Sequence, residues 1–236
     1  MFEKYAYLIT SLAFLVLFIG GLVVSPRRIR SSIVLSAFLS APISFASLIF
    51  VPGYWNPNRI MHFIIGPEDF IFSFSTGGIA WVMAVWFVRH KMIFNFEKRS
   101  IIRRYIKFIV IGSIINLFFL MMNVGIMFST IITVVILGLW ILFQRLHYWF
   151  ISVSGLIGFT VCYLILLKLS FYFFPDFIYQ WNFEHFCGLF IWGIPFEEII
   201  WSMACGSVWP LITAYLFDAR SAPIQNISLD RVKIGI

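Results

Sequence analysis

Charged residues are scarce in this chain: they make up 11% of its 236 residues, whereas 61% are hydrophobic. The apolar residues come in runs about twenty long, the length at which a helix spans the roughly 30 Å hydrocarbon core of a bilayer. This excludes an ordinary water-soluble domain and predicts an integral membrane protein. The net charge of +7 does not indicate a nucleic-acid partner, because the basic residues cluster in the loops between apolar runs, as the positive-inside rule describes.

Residues that form disulfides or bind metals are also few. The three cysteines, Cys162, Cys187 and Cys205, show neither paired nor metal-ligand spacing, so we expect free thiols. The loop histidines, His62 and His185, could join nearby carboxylates on charge grounds, but no helical ligand spacing supports such a site, and we expect no metal. No Gly-rich dinucleotide motif is visible, so a bound flavin or nicotinamide is not indicated.

The apolar runs predict an all-α membrane protein with about seven transmembrane helices. We expect Pro42 to kink the second helix. The run over residues 105–143 is too long for one span, and we divide it at Asn123-Val124-Gly125. The last span is longer than needed, so its first turns are expected to be interfacial or re-entrant. The predicted spans cover residues 5–24, 31–50 and 67–89, two stretches within 105–143, and residues 149–171 and 189–217.

Two stretches of the chain resemble each other. When residues 65–78 are laid on the stretch that begins at Ile194, Glu68-Asp69 falls on Glu197-Glu198 and Gly77 falls on Gly206. A Trp-Asn pair precedes each stretch. We therefore predict an internal duplication. Its parts are a first three-span repeat (1–92), a basic loop and connecting span (93–124), a second three-span repeat (125–217) and a polar cytoplasmic tail (218–236).

The connecting span makes the two repeats parallel, so both acidic pairs are expected at the same side of the membrane. The loops after the first, third and fifth spans, together with the tail, carry almost all the arginines and lysines, which makes their side cytoplasmic. We predict a protein integral to the plasma membrane, with its N-terminus outside and its C-terminus in the cytoplasm. The acidic pairs then lie near the outer ends of the third and seventh spans.

The acidic pairs are the strongest candidates for chemistry. A carboxylate inside a bilayer costs roughly 2.5–3.5 kcal/mol at mid-span, so such groups usually face the bundle interior and serve function. On a helix Asp69 and Ser73 share a face, as do Glu198 and Ser202. Four carboxylates in one layer repel one another, and we expect at least one to be protonated, as general acid–base catalysis requires. The structural alternative is that the acids only balance helix dipoles.

The second acidic stretch, Pro195-Phe196-Glu197-Glu198 followed by residues 199–210, resembles the Pro-x-Glu-Glu/Asp signature of the small membrane lycopene cyclases. These heterodimeric or fused carotenoid cyclases are unrelated to the flavoprotein cyclases and are built of two similar multi-span halves. This chain looks like a fusion of both halves, although Gly66 stands where the first copy would have the motif proline. A prenyl-protein protease is disfavoured, because Ser202 stands where its Glu-Glu-x-x-x-Arg motif needs arginine.

The resemblance implies a redox-neutral cyclisation of a linear carotenoid end group such as that of lycopene. An acid protonates the terminal double bond, the neighbouring double bond attacks the tertiary cation, and a base removes a proton to leave a ring. No cofactor is required by this reaction, and the expected partners are the carotenoid within the membrane and other carotenoid-pathway enzymes. The expected catalytic residues are Glu197 or Glu198 as the acid, with Glu68 and Asp69 as the base or second acid. The expected substrate-binding residues are Trp201, Ser202, Phe72, Ser73, Trp209, Asn56 and Arg59.

Two other functions stay open at this point. One is a different enzyme of carotenoid or polyprenyl end groups, such as a hydratase or a cyclase for longer carotenoids. The other is a membrane protein that binds a lipid or pigment, or transports it, without catalysis. A retinal protein is disfavoured, because the seventh span has no lysine for a Schiff base.

Overall fold

In the computed structural model, which describes residues 3–61, 63–88 and 92–221, the chain is almost entirely helical. This confirms the predicted all-α class. Two short antiparallel strand pairs, Met92–Ile93 with Arg220–Ser221 and Phe190–Ile191 with Ile194–Pro195, accompany the helices. The helices are α1 (Ala6–Val24), α2 (Arg27–Ser40), α3 (Ser47–Phe50), α4 (Pro67–Val85), α5 (Lys98–Met121), α6 (Ile126–Gln144), α7 (Trp149–Phe173) and α8 (Phe196–Leu216), and the strands are β1 (Met92–Ile93), β2 (Phe190–Ile191), β3 (Ile194–Pro195) and β4 (Arg220–Ser221).

Six helical segments in the described part of the chain are long and apolar enough to cross a membrane, which agrees with the predicted membrane class. The third predicted span, α4, is not among them, because its acidic first turn and its serine, threonine and glycine residues lower its hydropathy. Twelve of its 19 residues are buried, so α4 is a helix enclosed by protein. The six segments are Glu3–Val24, Arg27–Phe50, Lys98–Met121, Ile126–Gln144, Leu146–Phe173 and Phe196–Leu216.

Most of the predicted breaks between helices are found. Near Pro42 the second span changes from α2 to a 3₁₀ segment, Ala41–Ala46, before α3. The break at Asn123-Val124-Gly125 separates α5 from α6. The predicted start of the last span is wrong, because residues 190–195 form β2 and β3 and the helix begins only at Phe196. The cause is local: Gly193 has a φ of +75°, which favours glycine and reverses the chain between the two strands.

The two central helices, α4 and α8, pack in a similar way. In the first half α4 packs against α1 and α2, in the second half α8 packs against α6 and α7, and α4 and α8 contact each other. Gly77 lets α4 approach α2, because a Cβ there would collide with the Ser40 side chain. Gly206 does the same for α8 and α7, where a Cβ would lie 2.8 Å from the Gly155 carbonyl oxygen. The glycines matched in sequence thus have matching packing roles, while the repeat boundaries stay a prediction.

The acidic and basic groups lie at opposite ends of α8. Both acidic pairs occupy first turns, those of α4 and α8. At the other end of α8, Arg104 Nη1 donates to the Tyr215 carbonyl oxygen (2.6 Å), and Arg145 pairs with Asp218 (3.4 Å). Because 21 helical residues rise 1.5 Å each, the two ends are about 30 Å apart. The predicted polar tail lies outside the described residues beyond position 221.

Candidate active site

One acid from each pair lines a single cavity. The cavity, about 180 Å³, lies between α1, α4, α7 and α8 and extends to the 3₁₀ segment and to the N-terminal turns of α6. Asp69 and Glu198 both contribute to its wall, whereas Glu68 and Glu197 are not among its lining residues. Ten of the 21 lining residues are aromatic. The two predicted acidic stretches therefore meet at one site, and that site is a mostly apolar chamber with two carboxyl groups.

Asp69 is held as an ion pair with its charge balanced. The Arg59 guanidinium donates from Nε to Oδ2 (2.8 Å) and from Nη2 to Oδ1 (3.0 Å), a two-point contact between side chains that are only 5% and 3% exposed. Tyr7 Oη and Ser47 Oγ each donate to Oδ1 at 2.9 Å, and the Gly66 backbone N–H donates to Oδ2 at 2.7 Å. Five donors therefore stabilise the ionised form of this carboxyl group.

Glu198 has a different set of partners. Tyr54 Oη (2.9 Å) and Trp181 Nε1 (2.8 Å) donate to its Oε1, and Tyr163 Oη donates to its Oε2. Burial and the neighbouring Glu198 carboxylate raise the pKa of Tyr54 far above its ordinary value, so the phenol keeps its proton and stays a donor. None of the ion pairs found across residues 3–61, 63–88 and 92–221 includes Glu198.

The two loops that carry the Trp-Asn pairs are joined over this end of the bundle. Trp55 and Trp181 form an antiparallel bridge, and their rings lie 5.4 Å apart. The Asn56 backbone N–H donates to the Gln180 carbonyl oxygen (2.6 Å), and the Asn182 N–H donates to the Tyr54 carbonyl oxygen (2.8 Å). Asn56 itself is exposed and is absent from the cavity wall, so the structure gives it a role in joining the loops.

The first acid of each pair is tied to a loop. Glu68 Oε1 accepts from the Ile60 backbone N–H (2.8 Å), and Glu197 Oε1 accepts from the Cys187 backbone N–H. Both side chains are buried, with relative exposures of 0% and 1%. The Oε2 atom of each has no hydrogen-bond partner within the described part of the chain. The first acids of the two pairs thus share one arrangement, whereas the second acids both line the cavity but have different partners.

The expected substrate-binding residues divide into two groups. Phe72, Ser73 and Trp201 line the cavity, and the rings of Phe72 and Trp201 stack at 6.2 Å. Ser202 and Trp209 are not in its wall: Ser202 Oγ donates to the Ile199 carbonyl oxygen (2.7 Å), and Trp209 Nε1 donates to Ser36 Oγ (3.0 Å). The latter two therefore stabilise the helices rather than contact a molecule in the cavity.

Comparison with known protein families gives a match in the second half of the chain. Residues 124–216 match the family model described as lycopene cyclase. This part of the chain is similar to the lycopene cyclase family. The match confirms the resemblance seen at the acidic stretch of α8, and it covers α6, α7 and α8. No curated protein and no solved structure matches the chain.

The segment that matches the lycopene cyclase model does not form the cavity alone. It supplies Glu198 and two of the three donors to that carboxyl group, but the third donor, Tyr54, comes from the first half of the chain. Asp69 and its partner Arg59 also lie outside the matched residues. The site is therefore composite: the family segment carries one carboxyl group, and the preceding half carries the other.

Sequence reasoning missed five residues that hold the two carboxyl groups. They are single polar or aromatic residues without a motif of their own, and their role depends on helices and loops that are distant in sequence. The Trp-Asn pair that precedes each acidic stretch is the one available signal, and it pointed to the loop but not to the indole as a donor. The missed residues are Tyr7, Ser47, Tyr54, Tyr163 and Trp181.

Proposed function

We propose that this protein cyclises the end groups of linear carotenoids such as lycopene, in a redox-neutral reaction started by a protonated carboxyl group. The observation that carries the proposal is the pair of carboxyl groups, Asp69 and Glu198, in the wall of one aromatic cavity. The lycopene cyclase family of residues 124–216 supports the same reaction class. A substrate made of conjugated hydrocarbon fits a chamber whose wall is largely aromatic and aliphatic.

The reaction adds one proton to the substrate and later removes one proton from it. A proton passes from a carboxyl oxygen to the terminal carbon–carbon double bond and leaves a tertiary cation. The neighbouring internal double bond attacks that cation, so one carbon–carbon bond forms and the positive charge moves into the new ring. Loss of a proton from a ring carbon restores a double bond. Substrate and product are isomers, so this balance consumes no flavin, nicotinamide or other co-reactant.

Glu198 is the acid in this proposal. Its partners in the described structure are neutral donors, so uptake of a proton removes an uncompensated buried charge. Asp69 already has its charge balanced by Arg59 and its oxygens occupied by five donors. After donating its proton, Glu198 is a carboxylate beside the new cation, and we assign to it the removal of the ring proton as well.

Asp69 and the aromatic wall stabilise the cation. The Asp69 carboxylate lines the same cavity and Arg59 does not, so the negative end of this ion pair faces the cation. Each aromatic face stabilises a nearby cation by about 0.5–2 kcal/mol, and the Trp201 ring there contacts the rings of both Phe72 and Tyr163. The wall also keeps water from the cation, which favours ring closure over hydration.

The substrate reaches the cavity from the membrane. We place the acidic ends of α4 and α8 at the outer face and the arginine-rich ends of α2 and α5 at the cytoplasmic face, as the positive-inside rule requires. A carotenoid is about as long as the hydrocarbon core is thick, roughly 30 Å, so a molecule lying across the bilayer brings one end group to the acidic layer. Enzymes that make or modify carotenoids in the same membrane are the expected partners.

Expression in a host that accumulates lycopene tests the proposal directly. Extracted pigments are separated and identified by absorbance and mass. Carotenoids that have the mass of lycopene and one or two rings support it. Products heavier by one water per end group would instead show a hydratase, and unchanged lycopene at a verified level of membrane protein would refute catalysis on this substrate.

A further inference from the structure

We infer that Glu68 and Glu197 are positioning residues: each holds a loop so that a donor on or beside that loop meets a cavity carboxyl group. The inference rests on the proposed function for the identity of the reaction but not for the contacts. Neither residue lines the cavity. Each instead binds one backbone N–H of the loop that follows its half's Trp-Asn pair.

In the first half a short series of contacts connects Glu68 to Asp69. Glu68 Oε1 fixes the backbone N–H of Ile60, and Arg59 is the residue directly before it. The Arg59 guanidinium then makes its two-point contact with Asp69. Gly66 leaves room for this arrangement, because a Cβ there would run into the Glu68 carboxyl group and would lie 3.0 Å from Arg59 Cδ. Glu68 therefore sets the position from which Arg59 balances the charge of Asp69.

In the second half the series of contacts between the first acid and the cavity carboxyl group includes one more residue. Glu197 Oε1 fixes the backbone N–H of Cys187, and Phe186 is the residue directly before it. The Phe186 ring packs edge-on against the Tyr54 ring, with 5.1 Å between centroids. Tyr54 Oη donates to Glu198 Oε1. Glu197 therefore sets the position from which the phenol binds the carboxyl group that we assign as the acid.

A positioning role and a proton-donating role make opposite demands on the side chain. The loop contact needs an acceptor oxygen at the end of a side chain of this length, which glutamine also supplies. Proton transfer to a double bond needs the carboxylic acid itself, which glutamine lacks. Leucine has neither an acceptor oxygen nor an acidic proton. Comparison of the glutamine and leucine variants at one position therefore separates the positioning role from the proton-donating role.

The first test measures cyclisation rates in vesicles that contain each variant at equal protein level. A misplacement of about 1 Å can cost as much as 10²-fold in rate, so Glu68→Leu and Glu197→Leu should each lose about 10- to 100-fold. Glu68→Gln and Glu197→Gln should lose far less than the leucine variants. Glu184→Gln, on the exposed part of the same loop as Cys187, is the matched control and should equal the parent. Glutamine variants as inactive as the leucine variants would overturn the inference.

The second test asks whether Glu197 acts through Tyr54. In a Tyr54→Phe background the ring contact with Phe186 remains but the donor to Glu198 is gone. Adding Glu197→Leu should then cost only a few-fold, much less than in the parent, because the two residues serve one contact. Equal losses in both backgrounds would show a general folding defect and refute the inference.

Hydrogen–deuterium exchange gives a readout that does not depend on activity. The amides of Ile60 and Cys187 should exchange faster in the leucine variants than in the glutamine variants, each in its own loop. Unchanged exchange in the leucine variants refutes the positioning role even if the enzyme is active. A parent that forms no rings, yet shows this exchange pattern, refutes the proposed reaction and leaves the loop contacts confirmed.

Discussion

Replacement of Glu198 by glutamine is the sharpest test of the proposed acid. The amide oxygen can still accept from Tyr54 and Trp181, as Glu198 Oε1 does now. The amide NH₂ takes the place of Oε2, so Tyr163 Oη must rotate and accept instead of donating. The change in stability should therefore stay near the value of one hydrogen bond, about 1 kcal/mol.

The rate should change much more than the stability. General acid–base transfer typically contributes 10²–10⁴-fold, which corresponds to roughly 2.7–5.5 kcal/mol of activation free energy at 1.36 kcal/mol per tenfold. Glu198→Gln should therefore lose at least about 10²-fold in rate while its melting temperature in detergent remains close to that of the parent. Asp69→Asn is a less clean comparison, because it leaves the buried Arg59 without its counter-charge.

The assay is the initial rate of ring formation from lycopene in lipid vesicles, with the purified protein quantified in each preparation. Glu184→Gln removes a carboxyl group from an exposed position and serves as the matched control for charge loss. A Glu198→Gln rate within threefold of the parent would refute the role of Glu198 as acid. A large loss of thermal stability in the same variant would show that the hydrogen bonds of Glu198 matter mainly for folding.

The proposed orientation and the packing of α8 give two further predictions. In a background without native cysteines, a cysteine placed at Asn58 should react with an impermeant thiol reagent on intact cells, and a cysteine placed at Ser100 should not. The reverse labelling would contradict the outer placement of the acidic layer. Gly206→Val should push α8 away from the Gly155 carbonyl oxygen and lower the free energy of unfolding by about 1–3 kcal/mol. Gly20→Val should not lower it, because the space around Gly20 is open. Thermal melting in detergent measures the stability of both variants.

Much of the fold follows from local patterns in the sequence. The apolar runs set the number of long helices, and the break at Asn123-Val124-Gly125 separates two of them where the sequence indicates. The first-turn placement of Glu197-Glu198 was also predictable, since a proline directly precedes the helix and cannot continue a regular hydrogen-bond ladder. The reversal of the chain before α8 was not predictable, because residues 190–195 are apolar enough to extend the run but turn back at Gly193.

The sequence alone could not show which acid of each pair lines the cavity and which one binds a loop amide. Adjacent residues on a helix point about 100° apart, which indicates that only one acid of a pair faces a given neighbour but not which one faces the cavity. That choice depends on where the loops fold, and the loops are held by contacts between halves, such as the Asn56 N–H to the Gln180 carbonyl oxygen. The helical face that joins Asp69 to Ser73 was correct, and both line the cavity.

The two similar acidic stretches place two unlike carboxyl groups in one cavity. In each half the first acid anchors a loop amide, and the residue before that amide differs: Arg59 in the first half and Phe186 in the second. Arginine reaches the acid of its own half and fixes a negative charge there, whereas phenylalanine packs against Tyr54 of the other half. Two carboxylates that were each bound to an arginine could stabilise a cation. Neither could donate the proton that forms the cation, because each would remain ionised.

A symmetric pair without arginine would have the opposite defect. Two buried carboxyl groups with neutral donors would both favour the protonated form, and no fixed negative charge would face the cation once it formed. One arginine for two carboxyl groups gives a proton donor and a counter-charge in the same chamber. The loop contact that holds Arg59 has a counterpart in the second half, where Phe186 stands in place of the arginine. The proposed chemistry therefore requires both halves of the chain, although only residues 124–216 match the lycopene cyclase family.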